Sequence, residues 1–355
     1  MIHGGDLLSY KEFYDGDLVD FSSNINPLGY PQGLEAHLVK SFSSLLAYPD
    51  IKYRRLKENL SDYLGCQEES LVLGNGSVEL IDGFISLFER VLVFTPSFYE
   101  YEARTKVHGK ALMSLSYNKD FEVDLEDLSL VKKRDLLILG NPNNPTGLRI
   151  KEERLRAIYE VVVEKEAFLL LDEAFYEFTE GYDSIKLFKG EEYRNLAILR
   201  ASTKFFGLPG LRLGYGVTSS AMARRLEGLL LPWNINSLAE AAGDYIFKDG
   251  TYIEKSRAYV KKERDFLSSG IEGLESFKVF SSESNFLLVR LLACDEDKAF
   301  NHFLSQGLII RKCSSFRGLD KSYIRVAVKD RENNKRLLNA FRSLDDYLRK
   351  SPASL

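Results

Sequence analysis

Leu196-Ala-Ile-Leu-Arg-Ala-Ser-Thr-Lys204-Phe-Phe-Gly-Leu-Pro-Gly-Leu-Arg212-Leu-Gly-Tyr215 is the stretch from which the rest of the chain can be read. Leu196 to Leu199 is a short apolar run, which predicts a buried strand, and that strand delivers Lys204 into a turn of small residues. Gly207, Pro209 and Gly210 rule out a long helix beyond it, and Arg212 follows. A lone lysine is ordinarily a solvated surface charge. Here Thr203 stands before it and an arginine one short turn after it. An amine on a strand end, partly desolvated and close to other cations, has its pKa lowered toward neutrality, as a Schiff-base lysine requires. An arginine fork beside it matches a phosphate. Pyridoxal phosphate carries an aldehyde for the one and a phosphate for the other.

Outward from this stretch the pattern alternates. Strands are expected at Leu71 to Leu73, Val91 to Thr95, Leu136 to Leu139, Phe168 to Leu171 and Leu196 to Leu199. Amphipathic helices are expected at Lys52 to Leu64, Glu79 to Phe88, Tyr99 to His108 and Lys151 to Glu164. Near-continuous apolar strands spaced by such helices predict an α/β fold with a mostly parallel sheet covered on both faces. Ligands in such sheets sit at the strands' carboxyl ends. Phe98, the run Asn141 to Gly147, Asp172-Glu-Ala-Phe175 and Lys204 each follow a strand, so four strand ends face one crevice. Gly74-Asn-Gly-Ser77 adds a glycine loop before a helix, where unpaired backbone N–H groups can cradle an anion. The loop lacks the glycine fingerprints of dinucleotide and nucleotide sites.

With 355 residues, 45% of them hydrophobic, the chain is long enough for two domains. The formal net charge of −4 gives no basic field for nucleic acid or an anionic membrane. No apolar run reaches membrane-spanning length and no signal peptide is visible, so the expected location is the cytoplasm. Cys66, Cys294 and Cys313 lie far apart, and with four histidines and no HExxH pattern no metal site is expected. Residues 1–30, broken by Gly4, Gly5 and Gly16, read as an arm; 31–249 as the large domain; 250–355 as a smaller α+β domain with strands near Phe286, Ile309 and Tyr323. In the arm, Asn26 could be a plain turn former or a polar group presented to a site.

Asn144-Pro-Thr-Gly, Asp172-Glu-Ala, Lys204 and Arg212 together resemble the class I/II aminotransferases of fold type I, and the resemblance covers the whole chain. It implies a large domain with a mostly parallel, seven-stranded type of sheet, a smaller α+β domain, and pyridoxal 5′-phosphate as cofactor. It also implies the roles. Lys204 carries the cofactor and moves the proton at Cα, while Asp172 pairs with the pyridinium nitrogen, although from its position alone it could cap a helix. Asn144 bonds the ring's 3′ oxygen and Phe98 stacks on the ring. Ser77, Val78, Thr203 and Arg212 hold the phosphate, with Tyr48 reaching in from the second subunit of a homodimer. Arg325 grips the substrate carboxylate, where otherwise it would be a surface strand arginine.

Two positions depart from the family pattern. Phe175 stands where many relatives have tyrosine, and Ala201 where a serine or threonine donor to the phosphate is usual, leaving Ser202 as a substitute. His3-Gly-Gly-Asp, Asp20 to Gly29 and Arg311 to Leu319 resemble the branch that holds histidinol-phosphate aminotransferase and threonine-phosphate decarboxylase, with the decarboxylase side closer. Both take phosphorylated amino compounds. Arg311, Arg317, His3 and Asn26 are therefore the candidates for the substrate phosphate.

Overall fold

The computed structural model describes residues 4–350. Seven strands form its central sheet: β1 (Leu71–Asn75), β2 (Arg90–Thr95), β3 (Ala111–Ser116), β4 (Asp135–Gly140), β5 (Phe168–Asp172), β6 (Leu196–Ala201) and β7 (Leu213–Thr218). They lie in the order β1-β7-β6-β5-β4-β2-β3. The run from β6 to β3 is parallel throughout, and β7 is antiparallel to both β6 and β1. β1 therefore points the same way as β6, and the loops after β1, β2, β4, β5 and β6 open at one edge.

Side chains alternate across this sheet. Leu137, Leu139, Leu169 and Leu171 enter one apolar cluster, while Leu136, Ile138, Phe168 and Leu170 enter another. Both faces are buried, which is why the runs Leu136 to Leu139 and Phe168 to Leu171 are apolar without a break. The sequence pattern did not disclose β3 or β7. β7 carries Gly214 and Gly216 inside it; a side chain at Gly214 would strike the Gly76–Ser77 backbone, and one at Gly216 the Ile198 carbonyl. The glycines that let β7 fit between β1 and β6 erase the apolar run that marks a strand. β3 is an edge strand, and most of it is only half-buried or exposed.

A second, antiparallel sheet contains Arg311–Lys312, Tyr323–Ala327, Phe286–Leu291 and Phe277–Val279 in that order. It has its own core, in which Leu287, Val289 and Val326 meet Leu267 and Ile271 of the helix Gly250–Glu272 and Phe341 of the helix Arg331–Lys350. The N-terminal segment joins this body: Val19–Asp20 pairs in parallel with Leu308–Ile309, and Phe21 is buried in the same core. Among the described residues no helix is long and apolar enough to cross a membrane.

Candidate active site

At the open edge of the large sheet, between it and the small sheet, lies a cavity of about 570 Å³. Ser77, Val78, Phe98, Asn144, Asp172, Thr203, Lys204, Arg212, Arg311 and Arg325 all line it. These residues come from segments up to some 250 positions apart, and the strand ends bring them together.

One end of the cavity is suited to an anion. The helix Ser77–Ser86 begins there directly after Gly76, whose φ of 79° favours glycine. Its first N–H groups have no partner within the helix. A side chain at Gly76 would collide with the Arg212 guanidinium, so the missing Cβ is what admits the arginine. Arg212 itself is held at φ 59°, a left-handed conformation that costs a non-glycine residue about 1–2 kcal/mol. Thr203 stands beside it in the cavity wall. Ala201 also lines the wall, but the Ser202 hydroxyl is buried and donates to the Leu213 carbonyl at 3.2 Å. Ser202 is therefore no substitute for the donor that Ala201 lacks.

Lys204 sits in the single helical turn Ser202–Phe205. Burial, reinforced by the positive charges of Arg325 and Arg212, lowers its amine to about 8. Asp172 ends β5; burial pushes its carboxyl up, and two hydrogen bonds oppose that shift. The Tyr101 hydroxyl donates to Oδ2 at 2.7 Å and the Ala174 N–H to Oδ1 at 3.1 Å. Behind it, Glu173 accepts from Asn141 at 2.9 Å, from Ser184 at 2.5 Å and from the buried Arg200 at 2.9 Å, and Arg200 reaches Asp183 at 2.6 Å. This paired network fixes the strand end from which Asp172 projects. Phe175 lines the cavity and brings no hydroxyl to it.

At the other end, Arg311 and Arg325 are directly opposite each other in the small sheet. They are 2% and 5% exposed. Burial, then Arg311 as a like charge, brings Arg325 down to about 10, although Cys313 acts in the opposite sense. Arg325 donates to Asn144 Oδ1 and to the Ser22 carbonyl at 2.6 Å, and its buried Nε has no hydrogen-bond partner among the described residues. Arg311 donates to Ser315 at 2.7 Å.

Three of the expected residues, among those described, are not in this wall. The Asn26 amide is buried and donates to the Phe205 carbonyl at 2.7 Å and the Tyr252 hydroxyl at 3.0 Å, so it serves the turn and anchors the arm under Lys204. Asn24 lines the cavity instead, and its buried Oδ1 has no hydrogen-bond partner among the described residues. Nothing in Asn24-Ile-Asn26 distinguishes the two. Arg317 is 55% exposed and paired with Glu102 at 3.0 Å outside the cavity. Tyr48 is 80% exposed and does not line the cavity of its own chain. His3 lies outside the described residues. Ser22, Ser23, Glu100, Tyr101 and Phe316 also line the cavity and were not singled out from sequence.

The model of the family described as aminotransferase class I and II matches residues 16–341. A protein of Caldanaerobacter subterraneus subsp. tengcongensis, provisionally named as a threonine-phosphate decarboxylase, is 41% identical over 350 residues, covering 96% of this chain and 93% of its own. The threonine-phosphate decarboxylase of Salmonella typhimurium is 32% identical over 352 residues, 96% of each chain. Among solved structures, the histidinol-phosphate aminotransferase from Clostridium acetobutylicum superposes with a TM-score of 0.88 at 38% identity, covering 92% of this chain and 99% of that one.

Proposed function

Because this chain belongs to the class I and II aminotransferase family, whose members depend on pyridoxal phosphate, we propose that the cavity binds this cofactor and decarboxylates threonine phosphate. The cavity's own features fit the cofactor. The cradle made by Gly76, the helix start, Thr203 and Arg212 would take its phosphate, Phe98 its ring face, Asp172 its ring nitrogen and Asn144 its 3′ oxygen. Bound there, it would supply an aldehyde and an electron-accepting ring. Lys204, with its amine near 8, is poised both to attack an aldehyde and to deliver a proton to the substrate's Cα.

The observation that carries the substrate reading is the Arg311–Arg325 pair. Like charges directly opposite in a sheet repel, and burial strengthens the repulsion, so an anionic substrate group beside each arginine would offset it. Threonine phosphate brings a carboxylate and a phosphate. Histidinol phosphate, which the likeness to the Clostridium structure keeps as the second reading, brings a phosphate and no carboxylate. Product analysis tests the choice. Phosphothreonine alone should release carbon dioxide and leave an amino alcohol phosphate; glutamate formed from histidinol phosphate and 2-oxoglutarate, with no carbon dioxide from phosphothreonine, would overturn it.

The same proposal includes a homodimer in which the partner's tyrosine at position 48 completes each cavity. Its support is the surface around Tyr48, which packs against Trp233 with ring centroids 4.5 Å apart and planes tilted by 31°. Leu46 (91% exposed) stands two residues before it, and Leu231 (77%) and Ile51 (56%) line one groove with Trp233, exposed apolar surface of the kind that marks an interface. Sedimentation should show dimer throughout the assay range, and Leu231→Glu should give monomers with turnover reduced at least tenfold. Fully active monomer refutes it.

A further inference from the structure

Tyr101 lies in the first turn of the helix Tyr99–Val107 and is 2% exposed. Its hydroxyl and the Ala174 N–H hold the Asp172 carboxylate from two sides, one on each oxygen. Its ring also meets Phe98 edge-on, with centroids 5.6 Å apart and planes at 86°. Phe98 precedes it by three residues, close to one helical turn, so a single buried side chain touches both the carboxylate and the aromatic ring of the cavity wall.

We propose that Tyr101 is a positioning residue that keeps Asp172 ionised and aimed into the cavity while setting the tilt of Phe98. The proposal rests on the reading of Asp172 as the partner of the cofactor's ring nitrogen. Burial alone would favour the protonated acid, which cannot pair with a protonated ring nitrogen; a donor on Oδ2 shifts the balance back to the carboxylate. Tyrosine suits this task over a wide pH range. Burial, and then the neighbouring Asp172 charge, raise its own pKa well above the usual value, so it keeps its proton where a histidine in the same place would titrate. Its closeness to Phe98 means that the carboxylate and the stacking ring cannot shift independently.

The test is a double-mutant cycle read as the dissociation constant of pyridoxal phosphate, titrated into the unloaded wild type, Tyr101→Phe, Asp172→Asn and the double variant. Loss of a hydrogen bond to a charged group should weaken binding about tenfold in Tyr101→Phe. In the Asp172→Asn background, where no charge remains to be stabilised, the same change should have no further effect. Equal weakening in both backgrounds would show a packing role only and overturn the proposal, as would wild-type affinity in Tyr101→Phe. If Asp172→Asn itself binds like the wild type, it is the reading of Asp172 that fails.

Discussion

Lys204→Met should abolish turnover, a loss of at least about a thousandfold, the scale on which removing a covalent nucleophile acts. The same change should leave the unloaded protein at least as stable as the wild type. The second half follows from the amine's pKa, held at about 8 against an ordinary 10.5 by burial and then by Arg325 and Arg212. A shift of that size corresponds to about 3 kcal/mol of disfavour for the charged amine in the native state. The unfolded chain holds the proton up to its higher pKa, so stability rises with pH between about 8 and 10.5, and the penalty is present in full below 8. Methionine fills similar space without the charge. Thermal unfolding at pH 7 should therefore give a midpoint equal to or above that of the wild type; a lower midpoint would mean that the amine is not held at a cost. Borohydride reduction of the cofactor-loaded wild type should place the label on Lys204, and a label on any other lysine would displace it from the catalytic role.

Arg311→Ala should weaken phosphorylated substrates by about 2–5 kcal/mol in transition-state free energy, the usual penalty for leaving one charge of a desolvated pair alone. Unphosphorylated analogues should be spared. The structure strengthens this expectation, because Arg317, the other arginine of its segment, is exposed and committed to Glu102. Arg325→Ala should harm phosphothreonine much more than histidinol phosphate, which lacks the carboxylate. Removing either arginine also relieves the repulsion across the pair, so both variants should fold. The measurement is kcat/KM for both substrates in both variants. Equal losses for phosphorylated and unphosphorylated substrates in Arg311→Ala would refute the assignment of that arginine to the phosphate.

What the sequence determined by itself was the layered α/β architecture and the side of the cavity formed by the strand ends of the large sheet. β4, β5 and β6 are buried on both faces, so their apolar runs are unbroken and visible in a linear reading. Ligand groups in a parallel sheet collect at strand ends, so Phe98, which follows the equally apolar β2, and Asn144, Asp172 and Lys204, which follow or end those three runs, could be picked out by position. The end at Arg311 and Arg325, and the support behind Asp172, were decided by tertiary structure. That Arg311 faces Arg325 depends on the register of two strands joined by a ten-residue excursion, from 313 to 322. That Tyr101 reaches Asp172, 71 positions away, depends on the angle between a helix and a sheet. Asn24 and Asn26 are chemically identical and two residues apart; which one faces the cavity was settled by where the arm docks, through Gly207, whose missing side chain lets the Gly29 backbone pass close by. Periodicity records whether a residue is buried, and chain order records which residues come directly after a strand. Neither records which buried polar group meets which, because that is fixed by packing between segments distant in sequence, where shape and unsatisfied hydrogen bonds leave one arrangement.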